Sequence, residues 1–396
     1  MKMIALILWH LPVILWLCLF MTLANLLVFR GLRPGRPLAN PPLVSILVPA
    51  RNEALNIEAC VESLMNQNYP NWELIVLDDN STDGTAELVE RGSAKFDGPQ
   101  KVTLLKGAPL PDGWTGKNWA CHQLSLNARG DYLFFTDADT IHAADALSAA
   151  ARAAVSWRAD LLSAWPRFVT KTLGEKLIIP IVVLVGFVFT PHWLVALLQR
   201  FPSLARIAGA KFTGALGTAN GQFMFFSRRG YQAVGGHEAV RAEIVEDVAL
   251  GRRMAAQMGQ GLRLCVGEAF RFSKVRMYRS FGETWAGFAK NLRALFGSKA
   301  LLFWAFILGL WFCFLGPVVK CLWAPANLRN QMLFHASMVL AIRWLVTLRC
   351  RTSWLGALLH PLGVGLVMAI AFRSWWLSRG PGVEWKGRTY RPGFGK

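Results

Sequence analysis

Residues 4–29 are apolar apart from His10, Thr22 and Asn25, and three further runs of the same kind cover Ala300–Val319, Gln331–Leu348 and Trp354–Phe372. About 20 consecutive apolar residues span the hydrocarbon core of a bilayer, and inside that core an exposed backbone must be helical to satisfy its own N–H and C=O groups. A chain with such runs at both ends cannot fold as one water-soluble globule. The first run is too long for a secretory leader, has no clear small-residue cleavage site, and is followed by Arg30, Arg33 and Arg36. It therefore reads as a retained anchor with the following segment on the cytoplasmic side.

The expected organisation is a transmembrane helix over 1–30, a Pro-rich linker over 31–42, an α/β domain over 43–298, membrane helices over 299–373 and a basic cytosolic tail over 374–396. A fifth apolar run, 177–198, is broken by Pro180, Pro191 and His192. It reads as interfacial or re-entrant, because a crossing there would part the acidic motifs on its two sides. The tail carries Arg373, Arg379, Lys386, Arg388, Arg391 and Lys396. A short tail this basic prefers the inside, so one of the three C-terminal runs is expected not to cross. The whole is expected to be a multi-pass inner (plasma) membrane protein with a cytoplasmic α/β domain.

The formal charge of +19 fits that location. Basic residues flank the apolar runs and suit an anionic lipid surface, and no helix-turn-helix, zinc-finger or RNA-binding signature accompanies them, so nucleic acid is not an expected partner. The seven cysteines form no C-x-x-C pair. Neither a zinc site nor a disulfide framework is indicated.

From Val44 the pattern becomes short apolar runs alternating with polar, helix-favouring stretches, the punctuation of βαβ units. Strands are expected at Val44–Val48, Glu73–Leu77, Val102–Leu105 and Tyr132–Thr136, and helices at Asn56–Asn66 and Thr85–Arg91. Two of these strands end in carboxylates: Leu74-Ile-Val-Leu-Asp-Asp79 and Tyr132-Leu-Phe-Phe-Thr-Asp-Ala-Asp139. Ligands of open α/β sheets bind beyond the carboxyl ends of strands, which is where these acids fall. Asp78–Gly84 does not fit a calcium loop, since its glycine is displaced and no Glu closes it. Capping by Ser81 or Asp83 leaves Asp78 and Asp79 unexplained. Two carboxylates on alternate residues, Asp137 and Asp139, suit magnesium or manganese, which take one or two protein carboxylates and leave room for phosphate oxygens. A third acidic site, Glu246-Asp247, precedes the helical pattern Val248–Met254. Acids there either complement the helix dipole or supply a general base.

In this order and spacing the three acidic sites resemble glycosyltransferase family 2 over most of residues 43–296. Val44-Ser-Ile-Leu-Val-Pro-Ala-Arg-Asn-Glu53 is similar to that family's opening strand, Asp78–Asp83 to its second-strand motif, Thr136-Asp-Ala-Asp139 to its D-x-D and Val245-Glu-Asp247 to its E-D motif. The resemblance implies a GT-A (Rossmann-like) nucleotide-sugar-binding fold. It implies that Pro49, Ala50, Arg51, Glu53 and Asp79 line the nucleotide pocket, that Lys117 and Asp137 meet the nucleotide or its phosphates, and that Asp137 and Asp139 hold a divalent cation (Mg2+ or Mn2+). Asp247 would be the base of an inverting transfer.

Pro111-Asp-Gly-Trp-Thr-Gly-Lys117, Ala219-Asn-Gly-Gln-Phe223, Gly235-Gly-His237, Arg276-Met-Tyr278 and Val383–Tyr390 narrow the likeness. They resemble membrane-associated members such as hopene-associated and carotenoid or lipid glycosyltransferases. On that likeness Asn220, Gln222, His237 and Glu246 are candidate acceptor residues, the donor is a nucleotide sugar of UDP type, and the acceptor is a membrane lipid. The Q-x-x-R-W motif of processive synthases is replaced by Lys290-Asn-Leu-Arg-Ala294, which disfavours a polymerase. A short-chain polysaccharide synthase and a non-catalytic membrane protein of the same fold stay as alternatives.

Overall fold

The computed structural model describes residues 2–35, 38–380 and 382–390. The chain forms two compact units, one made of Phe29–Val169 and His192–Arg276, the other of Met1–Val28, Thr170–Pro191 and Met277–Lys396.

The first unit is α/β. Its strands are β1 (Arg30–Gly31), β2 (Val44–Ala50), β3 (Trp72–Asp78), β4 (Lys101–Lys106), β5 (Tyr132–Phe135), β6 (Thr140–His142), β7 (Leu161–Trp165), β8 (Arg167–Phe168), β9 (Met224–Ser227), β10 (Leu264–Glu268) and β11 (Ser273–Val275). Eight of them build one sheet in the order β1-β10-β7-β9-β5-β2-β3-β4, and β6-β11-β8 form a small second sheet. All eight-strand pairings are parallel except those of β9, which runs antiparallel between β5 and β7. Every residue of β3 is buried, as expected of a parallel strand covered on both faces. The helix Ile57–Met65 shows how the cover is made: Ile57, Cys60, Val61 and Leu64, spaced along one helical stripe, are its buried residues.

Glu73 secures the amino ends of the central strands. It is buried, accepts from the Ser45 hydroxyl at 2.7 Å and the Arg129 backbone N–H at 2.8 Å, and pairs with the Arg129 guanidinium at 2.8 Å. At the opposite ends the strands release their loops together, and the site lies there.

The expected strands over 44–48, 73–77, 102–105 and 132–136 are present, shifted by one or two residues at their ends. β7, β9 and β10 were not anticipated, because short apolar runs such as Leu161–Trp165 carry no periodicity that separates strand from helix.

The second unit is helical. Lys2–Val28 is one helix, and Asn25 near its end donates to the carbonyls of Phe187 and Thr190 at 2.6 and 2.8 Å. Those carbonyls close the helix Leu173–Phe189, whose start is fixed by a capping box between Thr172 and Glu175. The apolar run read as 177–198 is thus two helices, Leu173–Phe189 and His192–Arg200, parted at Thr190-Pro191. The strands on either side of it, β7 and β9, are paired, so both flanks return to one sheet. Helix Phe281–Ala294, placed by sequence at the end of the 43–298 domain, clusters with the helical unit. Among the described residues, five stretches are long and apolar enough to cross a membrane: Leu11–Val28, Leu173–Arg200, Ala300–Cys321, Arg329–Cys350 and His360–Arg379. The Trp354–Phe372 run divides at Leu359, with Pro361 in the first turn of the second helix. Val383–Trp385 and Arg388–Tyr390 pair as a hairpin. Of the basic tail, Arg391 and Lys396 lie outside the described residues.

Candidate active site

Parallel strands end side by side, so the loops after β2, β3 and β4 are neighbours by construction. They are stapled to one another. The Asp79 backbone N–H donates to the Ala50 carbonyl and the Gly107 N–H to the Asp78 carbonyl, both at 2.8 Å. A Cβ on Gly107 would stand 3.1 Å from the Asp78 carbonyl oxygen and 3.2 Å from the Asp79 Cα, so a larger residue there would push the third loop away from the second by a few tenths of an ångström. Asn52 and Asn80 take up left-handed backbone, a conformation asparagine tolerates better than most residues. The Asn52 N–H donates to the Ser81 hydroxyl and its amide oxygen accepts from the Thr82 N–H, both at 2.9 Å. Asp83 caps locally as the sequence allowed, accepting from Thr85 and from the Ala54 N–H.

This cradle gathers the expected nucleotide residues. Pro49 and Ala50 end β2, Arg51 donates to the Asp79 carbonyl, and Glu53 accepts from the Asn56 amide at 2.9 Å. The Asp79 carboxylate is buried beside Asp78, whose own oxygens accept from the Ser81 N–H.

Asp137 and Asp139 follow β5. Beneath them the Thr136 hydroxyl donates to the Gln222 carbonyl and contacts His142 Nε2, both at 2.9 Å, tying the turn to β6 and to the strand that becomes β9. Burial pushes the His142 imidazole down to about 3, which keeps it neutral. Burial, followed by the negative charges of Asp139, Glu53 and Asp137, raises the nearby Cys60 thiol far above its ordinary value. Three carboxylates are thus within electrostatic reach of Cys60.

The third acidic site closes on the second through Lys117. The helix Gly116–Asn127 begins at an N-cap, Thr115, and Asn118 in its first turn donates to the carbonyls of Val240, Arg241 and Glu243. That stitching brings Lys117 to the helix Glu246–Ala256. Lys117 Nζ lies 2.7 Å from Asp137 Oδ1 and 2.7 Å from Glu246 Oε1. Although burial pulls it down, the carboxylates of Asp137 and Glu246 hold the Lys117 ammonium well above the usual lysine value.

Asp247 accepts from the Gly221 N–H through Oδ2 and from the Val248 N–H through Oδ1, both at 2.8 Å. Burial, and next the charge of Glu246, push its carboxyl up to about 7 against the pull of Lys117 and the two N–H donors. Gly221 lies between the two groups: a Cβ on it would stand 3.3 Å from Lys117 Nζ and 3.4 Å from Asp247 Oδ2.

The Ala219–Phe223 motif thus reaches Asp247 through Gly221, a residue that sequence reasoning passed over in favour of its neighbours. Asn220 accepts from the Gln222 N–H at 3.0 Å and serves the turn. The Gln222 side chain is buried, and its Oε1 has no partner among the described residues. His237 is fully buried, tilted against Phe135 with ring centroids 4.7 Å apart and bonded through Nδ1 to the Tyr231 hydroxyl at 2.8 Å. Glu246 stands in the ion pair with Lys117, a role the sequence did not suggest. Trp114, Trp119 and His122 form an aromatic cluster beside Lys117, with ring centroids 5.0–5.7 Å apart.

The donor set at Asp137 and Asp139 is all oxygen, as a hard divalent cation requires. Among the described residues no group of three or more His, Cys, Asp or Glu could hold an ion unaided. Such a site fits Mg2+ or Mn2+ that completes its shell with phosphate and water.

Residues 45–180 match the family model "Glycosyl transferase family 2". The 4,4'-diaponeurosporenoate glycosyltransferase of Staphylococcus aureus (strain USA300) is 28% identical over 368 residues, 89% of this chain and 89% of that protein. Its counterpart in strain MRSA252 is 29% identical over 370 residues, with the same coverage of 89% and 89%. Among solved structures, a mannosyltransferase from Pyrobaculum calidifontis in complex with GDP-Man and Mn2+ shares the fold at a TM-score of 0.51 and 19% identity, over 93% of this chain and 97% of that one. Sheet, site and relatives agree: residues 45–180 match glycosyl transferase family 2, which together with the relatives supports a family 2 glycosyltransferase, and the α/β unit has the GT-A fold.

Proposed function

We propose that this protein transfers a sugar from a nucleotide-sugar donor, of UDP type, to a membrane lipid, with inversion at the anomeric carbon. The observation that carries the reading is Asp247, a buried carboxyl pushed up to about 7 in the same site as the Lys117–Asp137 pair. A base works best when its pKa lies near the working pH.

In this reading the β2–β3–β4 cradle binds the nucleoside through Pro49, Ala50, Arg51, Glu53 and Asp79, and Lys117 meets the diphosphate. A divalent cation held by Asp137 and Asp139 would supply charge neutralisation for the departing diphosphate. Asp247 takes the proton of the acceptor oxygen as that oxygen bonds to the anomeric carbon, and the bond from that carbon to the phosphate oxygen breaks with its electron pair leaving on the nucleotide. Gly221 and Val248 hold the carboxylate in place through their N–H groups. One displacement inverts the centre.

A lipid acceptor is supported by the apolar helices of this chain and by the relatives' name, which points to a carotenoid-type acceptor. A divalent ion and a nucleotide sugar are supported by the ligands of the P. calidifontis mannosyltransferase. Because the two flanks of the 173–200 run share one sheet, we take that run to enter and leave the bilayer on one side, with the catalytic unit in the cytoplasm.

The test is to incubate detergent-solubilised wild type and Asp247→Asn with radiolabelled UDP- and GDP-sugars, Mn2+ and a total lipid extract, following label into the organic phase. Wild type should transfer label and Asp247→Asn should lose about 10²–10⁴-fold of the rate. Label confined to soluble oligosaccharide would sink the lipid reading in favour of a short polymer.

A further inference from the structure

The catalytic unit carries an apolar face of its own, outside the nucleotide site. Between Lys176 and His237 the chain contains no Asp or Glu. Within that stretch, helices His192–Arg200, Pro202–Ala208 and Ala210–Leu216 follow one another, and they expose Leu197, Phe201, Leu204, Ile207 and Phe212. Ile207 is 83% exposed. The opposite side of the same segment is anchored: Val195, Leu198 and Ala205 belong to the buried core of the catalytic unit. The apolar residues therefore point outward on a packed element. Single exposed apolar residues are ordinary, but five within one short segment make a patch that needs an occupant.

Charge names the occupant. Arg200, Arg206 and Lys211 are exposed among these residues, with no carboxylate in the segment to balance them. Outward apolar side chains interleaved with cations fit the headgroup and acyl boundary of an anionic bilayer. The segment also continues directly from Leu173–Phe189, one of the most apolar stretches of the chain.

We infer that residues 197–212 lie in the interface of an anionic membrane and set the height of the base relative to the lipid surface. The second part follows from how the segment is held. A Cβ on Gly217 would come within 2.4 Å of the Gly251 carbonyl oxygen, and one on Gly251 within 2.5 Å of the Thr218 carbonyl carbon. Ala210–Leu216 and its C-cap thus pack backbone to backbone on the helix whose first turn holds Glu246 and Asp247. The membrane contact stands without the proposed reaction, whereas its service to the acceptor rests on the lipid-acceptor reading.

The experiment uses the full chain in nanodiscs of phosphatidylcholine with or without phosphatidylglycerol, Cys265 and Cys321 being replaced by Ser. A nitroxide is attached at Ile207→Cys or, as control, at Leu126→Cys on the exposed face of Gly116–Asn127. The label at 207 should collide severalfold more with oxygen than with a nickel complex, and the label at 126 should do the reverse. Arg206→Gln with Lys211→Gln should remove the preference for phosphatidylglycerol. Equal nickel access at both positions overturns the inference, as does spin–spin broadening at 207 that depends on protein density, which would mean a second copy covers the face. Lipid burial at 207 in a wild type that glycosylates no lipid leaves the contact standing and removes the lipid-acceptor reading instead.

Discussion

Asp247 behaves as it does because of its burial and two charged neighbours. Burial and Glu246 favour its neutral form, while Lys117 favours the charged one, and the balance falls at about 7. Only the charged form accepts a proton. The rate under limiting acceptor should therefore fall as pH drops through about 7, with unit slope, and Asp247→Asn should abolish that limb along with most of the activity. Stability moves the other way. The folded value lies above the ordinary 3.8, so the folded protein holds the extra proton between these values and loses stability as pH rises through that window. Thermal melts should show Asp247→Asn more stable than wild type at pH 8, with the gap narrowing toward pH 5. A wild-type profile flat from pH 6 to 8 would remove Asp247 from the role of base. The acids themselves were legible from strand ends and order in the chain. Lys117–Glu246 was not, because partners so far apart in sequence leave no spacing to read, and Gly221 was missed because its contribution is an N–H that every residue except proline has.

At the scale of elements, the strongly periodic helices and the strands bounded by turn residues were readable, and the short strands that complete the sheet were not. Their pairing is decided by the rest of the fold. The contact between Ala210–Leu216 and Glu246–Ala256 is another feature no pattern announces, since small residues signal close approach only when both partners are known. It gives a sharp expectation. Gly251→Ala places a methyl group against the Thr218 carbonyl, a backbone neighbour that cannot rotate away. Overpacking of this kind costs about 1–3 kcal/mol, and the displaced helix carries Asp247, the proposed base. Gly251→Ala should lower both the melting temperature and the transfer rate, while Gly92→Ala, where a Cβ meets nothing within 4 Å inside the helix Thr85–Ala94, should leave the rate unchanged and the melting temperature the same or slightly raised. Unaltered melting of Gly251→Ala would show that the two helices are not held as described.

For the whole molecule, sequence foresaw membrane helices at both ends of an α/β domain, and the comparisons agree on the family. Hydropathy alone does not tell which long apolar stretches cross, because it measures length and composition, whereas the side on which a stretch ends depends on what its flanks pair with. The exposed loop near Asp97 offers a direct test of orientation. A protease site inserted there should be cut in inside-out vesicles and protected in right-side-out ones. Cutting only in right-side-out vesicles would place the catalytic unit outside the cell.

The antiparallel strand β9 has a further consequence, for synthesis. Until residues 224–227 exist, β5-β2-β3-β4 and β7 stay apart, because β9 is what joins them, and β1 still waits for β10. Everything the ribosome makes between those fragments and their join includes the long apolar run at 173–200. The nascent sheet therefore cannot close until that run has been made, whichever environment the run then enters.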